Sequence, residues 1–308
     1  MTDGAVAQLP QRLGQAVPLG LLNLRLSPRV GRSALASPEA VTQGLATAKV
    51  FAFASADYPG AALSMLFDSN STTAVGAFEF DSTIGPPTAF TFTAGAYQIL
   101  PVPGSTASFA TSINSAGLIV GTYEALAPAL RGFVKNGSTF SDVVFPSATA
   151  TQAIGINDAG QIVGTHFDTS FIEHGFVSSG GVFTSIDFPG STSTAAAGIN
   201  AAGDIVGAWT DSTTTSHGFV LRSGVFTPIT FPLAKSTVAF GINDTGDIAG
   251  FYRDAAGNTH GFLFANGAFS TVDVAGARDT QLTRINNEGL VTGAFIDALN
   301  EEHGVIGQ

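Results

Sequence analysis

The sequence predicts an all-β fold: a six-bladed β-propeller with four antiparallel strands in each blade. Three observations lead there. The chain repeats at a fixed period, its composition suits short strands and turns, and the piece its last repeat lacks stands near the start.

Composition narrows the class first. Only 11% of the 308 residues are charged, where an average soluble domain has roughly 25%. The 25 Phe and 44% hydrophobic content are not those of a disordered chain. The 37 Gly and abundant Ser and Thr favour strands and turns over helices. A net charge of −11 argues against a nucleic-acid partner, which needs a basic face. The absence of Cys excludes disulfides, thiolate zinc sites and Cys nucleophiles. No apolar run reaches the length of about 18 residues that a membrane-spanning helix requires.

The repeat has three independent markers. Asn114, Asn157, Asn200, Asn243 and Asn286 follow one another at 43 residues. The His-Gly-Phe-type motif at His174, His217, His260 and His303 keeps the same spacing, with Arg131 one period earlier. So do the aromatics Tyr97, Phe140, Phe183, Phe226 and Phe269. A weaker copy lies upstream, where Gly85-Pro86-Pro87 reads as a loop insertion. The units are 61–104, 105–147, 148–190, 191–233, 234–276 and 277–308.

One unit shows the elements. Thr194 to Ile199 reads as a first strand and Asn200-Ala201-Ala202-Gly203 as a turn. Asp204 to Trp209, His217 to Leu221 and Val225 to Phe231 are the next three strands. Pro232, which cannot donate to a ladder, ends the last. Four short strands in a period of about 40–45 residues is the propeller signature.

Closure follows from the ends. The unit 277–308 stops after its third strand, and residues 50–60 read like the missing fourth. A strand over 50–58 is therefore expected to complete the last blade, so that both free edges are paired. The predicted organisation is a leader over 1–49 and one propeller domain over 50–308. The leader holds Arg12, Arg25, Arg29, Arg32 and Lys49 against Asp3 and Glu39, and matches a secretory signal poorly.

The pairing of G-I-N-x-x-G-x-I-V-G with a following H-G-F resembles the HAF repeat family. The resemblance covers 105–308 well and the first unit loosely. Gly175, Gly218, Gly261 and Gly304 stand where the family has Ala, and its following Trp is absent. It implies an exported protein, extracellular, at the cell surface or in the periplasm, with no assigned activity.

The periodic residues offer few groups for chemistry. Four His on third strands lie too far apart to share a metal, so each is expected to hydrogen-bond within its own blade. The Asn-Asp-x-Gly turns lack the alternating oxygen ligands of a calcium loop. Gly76, Gly121, Gly164, Gly207, Gly250 and Gly293 imply close backbone approach. Two residues after each stands a ring: Phe78, Tyr123, His166, Trp209, Tyr252 and Phe295. These rings either pack between blades or form a ligand-stacking rim. Asp168, Asp211, Asp254 and Asp297 recur beside them, with Arg253 next to Tyr252.

The expected ligand-binding set is Tyr123, His166, Asp168, Trp209, Asp211, Tyr252, Arg253 and Asp254. No catalytic group, metal or cofactor is expected, because no single blade carries a distinctive cluster of acids and bases. The functional expectation is a monomeric, non-enzymatic scaffold that binds a carbohydrate, peptide or protein on one loop face. The alternative is a hydrolase or lyase at the central mouth, which fold alone does not license.

Overall fold

The computed structural model describes residues 51–80, 86–125 and 130–308. The expected leader, the start of the closing strand at Val50 and Gly85 of the loop insertion lie outside these residues. Every regular element among them is a β-strand, and no helix there is long and apolar enough to cross a membrane.

Strand β1 (Phe53–Ser55) comes first. Sheet 1 follows as β2 (Leu63–Ser69), β3 (Thr73–Glu79), β4 (Thr88–Thr93) and β5 (Ala96–Ile99). Sheet 2 is β6 (Ser105–Ile113), β7 (Ile119–Ala125), β8 (Leu130–Asn136) and β9 (Thr139–Val143). Sheet 3 is β10 (Ala150–Ile156), β11 (Ile162–Phe167), β12 (Glu173–Ser179) and β13 (Val182–Ile186). Sheet 4 is β14 (Ser193–Ile199), β15 (Ile205–Thr210), β16 (Ser216–Arg222) and β17 (Val225–Ile229). Sheet 5 is β18 (Ser236–Ile242), β19 (Ile248–Arg253), β20 (Thr259–Ala265) and β21 (Ala268–Val272). Sheet 6 is β22 (Asp279–Ile285), β23 (Val291–Ile296) and β24 (Glu302–Gly307), with β1 added to β24.

Within each of these sheets successive strands pair antiparallel. One parallel bridge, Leu63 to Glu302, joins β2 to β24, so that sheets 6 and 1 form one continuous eight-stranded sheet. The first strands touch one another in a cycle: β2 to β6, β10, β14, β18, β22 and back to β2. This is a propeller-type arrangement, with apolar cores between consecutive sheets. Val163 and Ile186 of sheet 3, for example, pack on Ala196, Ile199 and Phe219 of sheet 4. The Phe of the third strand anchors such a core in sheets 1 to 5, where Phe90, Phe133, Phe176, Phe219 and Phe262 are almost wholly buried; Val305 takes the place in sheet 6. Each contributes about 1.5–3 kcal/mol by leaving water.

The seam between chain ends lies in sheet 6. Phe53, Ala54 and Ser55 pair antiparallel with Gly307, Ile306 and Val305. Asp57 adds a side-chain clasp, accepting from His303 Nδ1 at 2.9 Å and from Gly304 N at 3.1 Å. The paired segment is shorter than 50–58, and the fourth strand of sheet 4 stops at Ile229 instead of Phe231. The cause is common to both. Tyr58 and Phe231 leave the strand to stack on Phe78 and Tyr252, with ring centroids 3.7 Å apart in each case.

Two local features explain the motif residues. A bulge displaces the first strand against the second at the same place in every sheet, as between Ala153 and Gly155. There the first-strand carbonyl crowds the glycine opposite: a Cβ on Gly164 would lie 1.9 Å from the Gln152 oxygen. The motif Asn caps its own turn and reaches across to the next sheet. Asn157 Oδ1 accepts from Gln161 N at 2.9 Å, and its Nδ2 donates to Asn200 O at 2.9 Å. Asn70, Asn114, Asn200 and Asn243 donate likewise to Asn114, Asn157, Asn243 and Asn286. These amides tie the turns of neighbouring sheets together round the axis.

Candidate functional site

The far end of each second strand, away from the Asn turns, carries the expected site residues. Their rings are not an open rim. His166 lies between Phe145, at 3.6 Å, and His174, at 5.1 Å, nearly parallel to both. Trp209 lies between Phe188 at 4.2 Å and His217 at 4.5 Å. Tyr252 lies between Phe231 at 3.7 Å and His260 at 5.2 Å. Both faces of each ring are thereby covered. Tyr123 is buried, with Val102 and Phe133 in the same apolar cluster. Of the two arrangements expected for these four, the geometry is that of packing between blades: the rings fill the joints between sheets. The reason is the residue entering from the preceding sheet, Phe145, Phe188 or Phe231, which takes the face a ligand would need.

The polar tips of three of these rings meet one position on the fourth strand. Tyr123 Oη donates to Asp142 at 2.8 Å, His166 Nε2 meets Ser185 Oγ at 3.3 Å, and Tyr252 Oη meets Thr271 Oγ1 at 3.0 Å. In sheet 4 that position is Pro228, which offers no hydroxyl, and Trp209 Nε1 is buried without a partner. Burial and the neighbouring His174 push His166 down to about 4, so it is neutral at pH 7.

What remains accessible is the layer outside the rings. Each loop Asp does two things. Its Oδ1 holds the turn: Asp211 Oδ1 accepts from Thr213 N at 2.8 Å and Thr215 N at 3.0 Å. Asp168, Asp254 and Asp297 cap their loops in the same way. The other oxygen faces the third-strand His. The Nε2-to-Oδ2 distance is 3.7 Å for His174–Asp168, 3.0 Å for His217–Asp211, 3.4 Å for His260–Asp254 and 3.7 Å for His303–Asp297. A second Asp holds Nδ1 in three sheets: Asp187 at 2.6 Å, Asp273 at 2.8 Å and Asp57 at 2.9 Å. In sheet 2 Arg131 takes the His place and bonds Asp142 at 2.7 Å.

Charge follows from this. The His217 bond, with those from Thr213 and Thr215, holds Asp211 well below the ordinary carboxylate range. Backbone donors hold Asp168 and Asp297 down. Asp254 is also lowered, since the Asn258 and His260 bonds outweigh its partial burial. The bond to Asp273 raises His260, against the effect of burial. These groups form half-exposed acceptor–donor pairs at one end of sheets 3 to 6. Arg253 is exposed beside the pair of sheet 5. In sheet 6, Glu301 joins Asp297 and His303, with one ligand atom from each lying within 4.8 Å of the others.

A second constellation lies at the opposite end, on the axis, and the sequence reading missed it. The residue before each motif Ile-Asn or its equivalent is Asp68, Ser112, Gly155, Gly198, Gly241 or Arg284. These six positions meet at the centre. The buried Arg284 guanidinium donates to Phe240 O at 2.7 Å, Ile154 O at 2.7 Å and Ala197 O at 3.0 Å. Its Nε is 3.6 Å from Asp68 Oδ2, which also accepts from Ser112 Oγ and from Ile113 N. Burial raises the Asp68 carboxyl even with Arg284 beside it. The three glycines make the room, since a Cβ on Gly155 would lie 3.2 Å from Arg284 Nη2. Above this plug opens a cavity of about 290 Å³, lined by the Asn turns. Alignment of the repeats on that one column would have shown three glycines against an acid, a serine and an arginine.

No family model matches the chain, and no curated protein matches it. Solved structures do. A mutant of the Aleuria aurantia lectin in complex with Fucα1-6GlcNAc aligns at TM-score 0.50 and 13% identity, over 78% of this chain and 90% of that one. The SapL1 lectin in complex with α-methyl fucoside aligns at TM-score 0.51 and 11% identity, over 76% and 88%. TolB from Acinetobacter baumannii aligns at TM-score 0.55 and 10% identity, over 77% and 64%. At such identity the likeness is one of fold.

Proposed function

We propose that the protein is a closed six-bladed propeller, one domain over residues 50–308, that binds carbohydrate without catalysing a reaction. The ligand face is the one bearing the Asp–His pairs. The observation that carries this reading is the fourfold recurrence of a half-exposed carboxylate beside an imidazole nitrogen, in sheets 3 to 6. The carboxylate oxygen that faces the His keeps a further lone pair and accepts from a saccharide hydroxyl, while the His, held by carboxylates at both ring nitrogens in sheets 3, 5 and 6, fixes that oxygen in place. Repetition round an axis suits a ligand that presents the same sugar many times, because linked sites gain avidity without new contacts. The lectin complexes with fucosides, which share the fold, support the ligand class. The reading includes action as a monomer and export to the cell surface or periplasm, as the HAF-type repeat implies.

The axial mouth supports the non-enzymatic reading. Its Arg284 is engaged by three carbonyls and Asp68, and Asp68 by Ser112 and Ile113. Acid, hydroxyl and cation are spent on one another, and none is poised toward a substrate.

A glycan array tests the proposal, read with the wild type and the paired variants Asp211→Asn/His217→Gln and Asp254→Asn/His260→Gln. The expected result is saccharide binding that each pair weakens while the variant stays folded. No saccharide bound by the wild type, or unchanged binding by folded variants, overturns it.

A further inference from the structure

Between sheets 3 and 4 lie polar groups that no hydrogen bond satisfies. Gln152 on β10 is wholly buried, and its Nε2 has no partner. Glu173 on β12 is 3% exposed, and neither carboxyl oxygen has one. Thr165 on β11 stands between them. Its hydroxyl donates to Gln152 Oε1 at 3.2 Å and lies beside the Glu173 carboxyl. The register places all three on one face, with Gln152 opposite Thr165, and Thr165 opposite Gly175, two residues from Glu173. In sheet 4 the same positions are Ala195, Ala208 and Ser216, and in sheet 5 Val238, Phe251 and Thr259.

The surroundings offer no countercharge. This face packs on β14, which has no titratable residue. His166 and His174 alternate to the other face of sheet 3, and Asp187 is engaged outside with His174. Arg284 reaches β10 at the axial end, at the Ile154 carbonyl and Gly155. An ionised carboxylate in such a place takes up a proton instead of staying charged. A polar group this buried without a partner marks a missing proton or water.

We propose that Glu173 is a neutral carboxylic acid in the folded protein, donating to Thr165 Oγ1, and that one internal water joins Gln152 to it. The water accepts from Gln152 Nε2 and donates to the second oxygen of Glu173. Each of these three side chains is then satisfied: Glu173 gives to Thr165, Thr165 to Gln152, and the water closes the ring. Two polar partners are the least a buried water keeps, and this space supplies both.

The consequence is a stability that depends on pH in a stated direction. Burial pushes Glu173 up to about 8, from 4.5. A carboxyl raised on folding keeps its proton in the native state while the unfolded chain has lost it. The unfolding equilibrium therefore grows tenfold per pH unit between those values and levels off above them.

The test compares the wild type with Glu173→Gln by urea unfolding from pH 5 to 9, beside infrared spectra of both. The ratio of their unfolding constants is expected to change by roughly a few hundredfold between pH 5 and 8. The wild type shows the carbonyl stretch of a protonated acid at pH 7, and the variant lacks it. Parallel pH profiles, or only ionised carboxylate bands in the wild type, overturn the proposal. The infrared result decides even if the variant fails to fold. A crystal structure at high resolution reads the water directly, and a dry interface refutes that half.

Discussion

Replacing Arg284 by alanine removes the guanidinium from the axis and leaves Asp68 buried beside Ser112. Removing one partner of a buried ion pair costs about 3–5 kcal/mol, most of it from the charge left behind. The carbonyls of Phe240, Ile154 and Ala197 lose their donor as well, but water entering the emptied space replaces it. For a domain of this size the expected fall in melting temperature is roughly 10 °C, at about 2–4 °C per kcal/mol. The pH dependence separates this mechanism from simple cavity formation. Burial already raises Asp68, and Arg284 opposes the rise. Without Arg284 the acid rises further, so the loss is smallest in acid, where Asp68 is neutral, and grows toward neutrality. Urea unfolding at pH 4 and pH 7 measures both values. The variant Asp68→Ala/Arg284→Ala, which has no stranded charge, is expected to recover part of the loss at pH 7. A loss below about 1 kcal/mol at pH 7, or one that does not shrink in acid, refutes the reasoning.

Removing residues 1–60 deletes β1 and Asp57 and is expected to lower the melting temperature, whereas removing 1–45 leaves it unchanged; equal values refute the closure. The Asp57 and Asp297 bonds raise His303 above 6.5 although burial pulls it down. The clasp therefore contributes fully below that pH and is lost as pH rises through the raised value, a limb that Asp57→Asn abolishes in melts from pH 5 to 9. Tyr252→Ala empties a sandwiched site and is expected to cost about 3–5 kcal/mol in urea unfolding; a folded variant of wild-type stability that binds no glycan restores the stacking rim. Pro228→Ser gives Trp209 Nε1 a hydroxyl and is expected to stabilise by about 1 kcal/mol; a fall in melting temperature shows that the indole points elsewhere.

Much of the fold was legible because the repeat reports the same environment many times. The period located the strands of the unit 191–233 to within one or two residues. It also located the glycines that lie under a bulge, since no other residue fits a carbonyl at that distance. The ends of the fourth strands were misjudged for a physical reason. Phe231 looks like a strand residue by type, but its ring is worth more stacked on Tyr252 than alternating on an edge. The site was less legible. Aromatic periodicity cannot tell a ring with one open face from a ring covered on both, because that depends on the residue arriving from the sheet before. The Asp–His pairs were visible as two separate periodic sets. Only the folded chain shows that Asp211 and His217, six residues apart, face each other.

The constant columns of the repeat and its exceptions do different work. Where a column is constant, as with the motif Asn, the residue serves the joint between any two sheets, and function specific to one place cannot reside there. Where a column breaks, the break must be answered by another. Arg284 needs glycines at three other sheets to have room, and Asp68 and Ser112 at the remaining two to balance it. Glu173 needs Gln152 and Thr165 on the same face. Pro228 leaves Trp209 without the partner its counterparts keep. A single-blade search for acids and bases finds none of these, because each answer lies on another strand or in another sheet. The same logic bears on binding. The Asp–His pair recurs in four sheets, whereas Arg131 replaces the His in sheet 2. If saccharide is held by the pairs, binding belongs to sheets 3 to 6 together, and changing one pair lowers the number of sites without altering the others. A glycan titration in which one altered pair abolishes all binding would show that a single exceptional place, and not the repeated one, holds the ligand.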